Sequence, residues 1–292
     1  MSYIISILSL AGLNALFALS MYVTFAIGQF SLAQVGFWAL GAYGTAMLTT
    51  LWGWTLWSAL FVSAVASALI GMVLSYPCLR LRGFYLALAT LGFSETVRVL
   101  FQNLEYQIPL NGVPVGPSGV LGFRSVTVST SPTDIFVFLA IAMALLFWLG
   151  RSRIGLAVAA TREDETVARF MGVNVVMAKV GAFMLAAAMA AIGGGLYAGL
   201  TSYITADDFG FHMTLLGILF VAIGGTRTLF GPILAAVVLT VLPEMFRFLA
   251  EYRMIFYGIL VIVLMTVCPR GLVDGQSVVA LRRWLAQRSL RG

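Results

Sequence analysis

Residues 3–26 run without a single charged side chain, and that stretch constrains the fold more than any other feature of the sequence. A run of this length fits the ~20 residues an α-helix needs to cross the hydrocarbon of a bilayer. It does not stand alone. Apolar runs recur at about 32–50, 55–76, 84–103, 133–150, 178–200, 212–225, 231–249 and 254–268. In lipid every backbone N–H and C=O needs an internal partner, so only helices and closed barrels cross. Barrel strands alternate polar and apolar residues over about ten positions. These runs are continuous, which selects helices. The chain therefore reads as an all-α, polytopic integral membrane helical bundle with about nine crossings. Several runs fall short of ~20 residues, so half-helices or re-entrant pieces, and counts of eight or ten, stay open.

Composition agrees. Only 10% of the 292 residues are charged and 61% are hydrophobic, with a mean hydropathy of +1.01. Soluble domains carry roughly 25% charged residues, so lipid rather than water must cover most of the exterior. The net charge of +6 does not indicate nucleic acid, because 16 of the 17 basic residues are arginines set between or beside apolar runs. That is how charge sets membrane topology. Cys78 and Cys268 each end an apolar run next to a proline, with no CxxC or Cys/His cluster, which argues against disulfides and structural zinc. The opening MSYIISILSL has no positive n-region and reads as the start of a retained helix rather than a signal peptide.

The arginines orient the bundle. Arg80 and Arg82 follow the third run, Arg151, Arg153, Arg162, Arg169 and Lys179 the fifth, and Arg227 the seventh. Arg270, Arg282, Arg283, Arg288 and Arg291 fill the tail. The alternate connections, 51–54, 104–132 and 201–211, hold one basic residue, Arg124. Basic loops stay in the cytoplasm, so the N-terminus is expected outside and the C-terminus inside. The division is a permease domain over 1–274 and a basic tail over 275–292. The tail, with Trp284, reads either as a surface amphipathic helix or as a frayed end. Trp52, Trp54 and Trp57 fit an interfacial aromatic belt.

Two segments lie outside the apolar runs. The outer one, 104–132, contains NGVPVGPSGV and is expected to lack regular structure. The inner one, 151–177, is highly charged but keeps Ala157, Val158, Thr161, Val167, Ala168 and Met171 at helical spacing. It reads as one or two short helices at the cytoplasmic surface, stopped near Gly172. Charges that set register beside apolar residues in need of cover describe a docking element for a soluble partner. Arg153, Thr161, Arg162, Glu163, Asp164, Glu165, Arg169 and Gly172 are its candidate residues. A solvated loop explains the same pattern less economically.

Within the runs, Glu95 and Arg98 lie three residues apart on one helix face. Charges at membrane depth cost ~2.5–3.5 kcal/mol each on insertion scales, and they face a partner or an aqueous path. A mutual ion pair and a place on the translocation path are both open. Gln29, Ser31 and Gln34 surround the break between the first two runs. Broken helices expose backbone groups that can bind zwitterions, although a plain turn uses the same residues. Thr90 joins them as a candidate path residue. Gly193-Gly194-Gly195 permits close helix approach, and Asn14 calls for an interhelical hydrogen bond. His212 is expected at the surface near Asp207 and Asp208. The turns Ile27-Gly28-Gln29-Phe30-Ser31 and Ile223-Gly224-Gly225-Thr226-Arg227 echo one another on the same side, a weak sign of internal repetition.

Five blocks, in order, carry a family resemblance: IGQFSLAQVGFWALGAYGTAML, LRLRGFYLALATLGFSETVRVL, GRSRIGLAVAATREDETVARFMGVNV with KVGAFMLAAAMAAIGGGLYA, FGFHMTLLGILFVAIGGTRTLFGPILAA, and PRGL. Over nearly the whole chain the sequence resembles LivM-type permeases, the membrane subunits of branched-chain amino acid ABC importers. The resemblance implies an ABC importer permease that pairs with a second, LivH-like permease, two cytoplasmic ATPases and an extracytoplasmic binding protein. It also implies that Thr161–Gly172 is the coupling helix seated in an ATPase cleft. The outer loop departs from the pattern, reading Asn111-Gly112-Val113-Pro114-Val115-Gly116-Pro117-Ser118-Gly119 where relatives often read like TGGxxG. The solute and the binding-protein contact stay open for that reason.

No GxxxxGK[ST] is present, and Lys179, the single lysine, has no glycine loop before it. ATP and its magnesium are therefore expected on a partner, with no cofactor in this chain. Urea or short amides are alternative solutes. An ion-gradient-driven secondary transporter is the competing class, and it would need embedded carboxylates such as Glu95. A membrane-embedded enzyme lacks a convincing constellation of catalytic side chains.

Overall fold

A computed structural model describes residues 2–81, 83–110, 113–124, 129–226, 228–245 and Gly258. Ten helices occur among them. They are α1 (Ser2–Ala26), α2 (Gln34–Trp52), α3 (Leu56–Cys78), α4 (Phe84–Gln102), α5 (Pro132–Arg151), α6 (Arg153–Glu163), α7 (Glu165–Phe170), α8 (Val175–Thr201), α9 (Phe211–Gly224) and α10 (Phe230–Met245). Eight of these match the first eight apolar runs. The ninth run, 254–268, apart from Gly258, and the tail 275–292 with Trp284 lie outside the described residues, as do Arg82 and Arg227. Six helical stretches are long and apolar enough to cross a membrane: α1, α3, α4, α5, α8, and Ala206–Gly224, which joins a short 3-10 turn to α9. Phe230–Leu242 is a shorter apolar helix.

At the centre lies α2, with fourteen of its nineteen residues buried. Its partner is α8, and glycine sets the distance between them. A Cβ on Gly194 would overlap the Trp38 carbonyl oxygen, one on Gly41 would overlap the Ala191 carbonyl, and one on Gly193 would strike the Trp38 ring. Two backbones can approach this closely only where side chains are missing, which is how membrane helices associate without a hydrophobic drive between them. On α3, Ala59, Ser63, Ser67, Gly71 and Ser75 form a buried stripe with a small residue every fourth position. That stripe packs on the same pair, with Gly71 against Ala187 and Ser63 donor-acceptor paired to Thr45 at 3.2 Å. Around the outside, α5 buries only Ile135, Ala142 and Leu146, a single face, and turns the rest outward. Asn14 of α1 donates to Thr240 Oγ1 of α10 at 2.9 Å, the interhelical bond expected of it.

The two ends of the bundle differ. One carries α6 and α7. The other carries a small antiparallel sheet of β1 (Ile108–Leu110), β2 (Val113–Pro117), β3 (Phe123–Arg124) and β4 (Tyr203–Ile204), in that order. This corrects the expectation that 104–132 lacks regular structure. Pro109 and Pro114 face each other across β1 and β2, a pairing that suits a site where neither nitrogen must donate. Gly116 (φ +141) and Gly122 (φ +76) let the strand backbones pass so close to Tyr106 and Ile204 that a Cβ would overlap their carbonyl oxygens. Glycine and proline, read as breakers, here allow the pairing. Trp52, Trp54 and Trp57 are exposed at this end, and so is His212.

Candidate functional site

The segment after α5 folds as its sequence dictates. Ser152 is extended, turns the chain sharply, and accepts the Gly155 N–H at 3.4 Å to start α6. A side chain on Gly155 would overlap the Leu149 carbonyl, so the corner requires glycine. Asp164 is extended again (φ −156) and splits the segment into two helices. Its carboxylate accepts from Thr166 N at 2.7 Å and Val167 N at 3.1 Å, capping α7. Those two amides hold the carboxyl below its ordinary value of 3.8. Gly172, at φ +82, closes α7 from the left-handed region. Asn174 then caps α8 through Met177 N at 3.0 Å.

Ties to the bundle are few and specific. Thr161 is buried and donates to Ala157 O at 2.8 Å. Arg162 reaches the turn after α9, donating from Nη1 to Thr226 O at 2.9 Å and from Nη2 to Thr226 Oγ1 at 2.8 Å. Glu165 forms an ion pair with Lys179 at the buried foot of α8. Arg153, Glu163, Asp164 and Arg169 are exposed. Beside them Phe170 is 86% exposed, Met171 79% and Met177 70%. Large apolar side chains thus stand uncovered among charges at this end of the bundle.

The six candidate path residues separate into two groups. Gln29, Ser31, Gln34 and Thr90 gather at the α1–α2 break, all buried. Thr90 Oγ1 accepts from Leu32 N at 2.9 Å, and Gln34 Nε2 donates to Thr24 Oγ1 at 3.3 Å. Ser94, which sequence reasoning did not single out, belongs to this group: it accepts from Gly36 N at 3.2 Å and donates to Leu32 O at 2.9 Å. The side-chain carbonyls of Gln29 and Gln34 are buried without a hydrogen-bond partner among the described residues. Glu95 and Arg98 sit farther along α4, toward the sheet. Arg98 donates to Glu95 at 2.7 Å and to Asp207 at 2.9 Å, and Gln102 donates to the same Asp207 oxygen at 2.8 Å. From Thr90 to Arg98 α4 rises ~12 Å, so the second group is a separate network that ties α4 to the 3-10 turn Ala206–Phe209 at the sheet end. Only its i,i+3 pair was visible in the sequence. Among the described residues, no cluster of three or more His, Cys, Asp or Glu could hold a metal ion.

Comparison with known proteins identifies the scaffold. The family model described as the permease component of branched-chain amino acid transport systems matches residues 3–265. The high-affinity branched-chain amino acid transport system permease protein LivM of Salmonella typhimurium is 34% identical over 287 residues, which cover 90% of this chain and 66% of that protein. Its Escherichia coli counterpart is 33% identical over the same shares. The chain thus spans about two thirds of the length of these relatives. No solved structure matches it. A model match over almost the entire chain, on a bundle of membrane-crossing helices with a structured insert after α5, places the protein in the family of branched-chain amino acid transport permease components.

Proposed function

We propose that this chain is the membrane-spanning permease subunit of an ATP-driven importer for branched-chain or other apolar amino acids. It works by alternating access, with ATP hydrolysed by separate subunits. The observation that carries the reading is the exposed apolar surface of Phe170, Met171 and Met177, set among Arg153, Glu163 and Arg169 at the end of the bundle away from the sheet. That surface fits a cytoplasmic ATPase, with α6 and α7 as its seat. Family membership supports the assembly: a second, LivH-like permease, two ATPases and an extracytoplasmic binding protein, in a bacterial inner membrane with α6 and α7 inside. The sheet end then faces the binding protein.

Gln29, Ser31, Gln34 and Thr90 are the proposed solute contacts near the inner end. The unpartnered amide oxygens of Gln29 and Gln34 could accept hydrogen bonds from an ammonium group, and leaving them unpaired costs ~1–3 kcal/mol each. An ion-driven carrier is less well supported, because Glu95 is already paired with Arg98.

The test is reconstitution of the chain with its candidate ATPase, second permease and binding subunits in liposomes. Uptake of leucine, isoleucine or valine that requires ATP supports the reading. ATP-dependent uptake of urea or a short amide alone would reassign the solute, and no ATP-dependent uptake of any of these would overturn the function.

A further inference from the structure

The two helix breaks that echo each other in sequence are closed in different ways. After α1 the chain caps itself: Gly28, at φ +83, donates to Phe25 O at 3.0 Å, and Gln29 N donates to Thr24 O at 2.9 Å. After α9, Gly225 N donates to Val221 O at 2.8 Å. The carbonyl and the hydroxyl of the following residue, Thr226, both accept from the guanidinium of Arg162. A cation just past a helix C-terminus also meets the negative end of the helix dipole, and the planar fork of arginine suits two acceptors at once.

Arg162 does not belong to a neighbouring membrane helix. It sits in the last turn of α6, two residues before the corner at Asp164, and so at the root of exposed α7. The same position also borders the first break, where a Cβ on Gly28 would lie 3.9 Å from Arg162 Cα. One residue of the segment therefore borders the first break and is bonded to the second. The second anchor of the segment, Glu165 to Lys179, leads to α8, which is locked against α2 by the glycine contacts already described.

We propose that Arg162 is the positioning residue that transmits displacement of α6 and α7 to the α9–α10 break, through its paired bonds to Thr226. The inference rests on the permease reading above. With the bonds in place, the break is held. When a docked partner shifts α6, Thr226 loses both donors together, and α10 is released to move against α9. The α1–α2 break, capped by its own backbone, keeps its shape.

The experiment uses the full complex in proteoliposomes and measures solute moved per ATP hydrolysed. Coupling between sites commonly amounts to between about 5- and 150-fold. Arg162→Ala is expected to lower the ratio about tenfold, and Thr226→Val, which keeps the carbonyl acceptor, about threefold. Arg162→Lys should recover part of the loss, and Thr226→Ser should keep the wild-type ratio. If Arg162→Ala fails to assemble, Thr226→Val decides. An unchanged ratio in Thr226→Val, or an equal loss in Thr226→Val and Thr226→Ser, overturns the transmission role while the permease reading stands. Wild-type complex without ATP-driven uptake sinks both.

Discussion

The α2–α8 seam and the α6–α7 segment hold their places by opposite means. The seam depends on absent side chains: Gly41, Gly193 and Gly194 bring backbone against backbone. Dispersion over such a contact is individually small but collectively large, and it tolerates almost no displacement. The segment is fastened by side chains, Arg162 to Thr226 and Glu165 to Lys179, and leaves large apolar residues uncovered. A transporter needs both: a body that moves as a unit, and a handle whose attachments can be exchanged one at a time.

The sharpest way to break this comparison is to put a side chain in the seam. Gly194→Leu should cost more than the ~1–3 kcal/mol of ordinary overpacking, because the obstacle is the Trp38 carbonyl rather than a mobile side chain. The yield of folded protein in detergent should collapse. A normal yield would mean that the seam is looser than its geometry indicates.

On the segment, Glu165→Arg sets two cations together at the foot of α8. Removing one partner of a fully buried pair costs about 3–5 kcal/mol, but Glu165 is 31% exposed, so roughly 1–3 kcal/mol is expected. The loss should fall on α7. Trypsin cleavage after Arg169 should speed up while α2 and α8 stay intact, and a global loss of fold would contradict the separation. Between these extremes, Asn14→Leu removes the bond to Thr240 and should lower thermal stability by ~0.6–2 kcal/mol.

Acid should loosen the cap of α7. The Asp164 carboxyl is held down by the amides of α7, so its contribution is present above pH 3.8 and is lost as pH falls through the lower folded value. Protection against hydrogen exchange at Val167 and Ala168, measured against the intrinsic rate at each pH, should therefore fall below pH 3.8. Smallest in stability is Phe170→Ser, within about ±0.5 kcal/mol. Its effect should appear only as weakened pull-down of the ATPase.

The seam was legible in the sequence because it needs only local information. A run of glycines inside an apolar helix has few other uses, and the Glu95–Arg98 spacing fixes a shared face on any helix. The charged segment was legible for the same reason, since Asp164, Gly172 and Asn174 are boundary residues whose preferences are local. What escaped were the partners from far along the chain. Nothing near Arg162 points to Thr226, and nothing near Arg98 points to Asp207 or Gln102. Ser94 looked like one more small polar residue on α4. The sheet escaped for a different reason: glycines and prolines break strands on average, but at Gly116 and Gly122 the pairing needs backbone approaches that only glycine permits.

Burial of the single lysine in a pair with Glu165 has a practical corollary. Reagents that acylate primary amines find one side-chain amine in this sequence, and with α7 seated that amine is shielded. The rate at which Lys179 is acylated is thus a natural gauge of how often α7 lifts away, readable by mass spectrometry on unmutated protein.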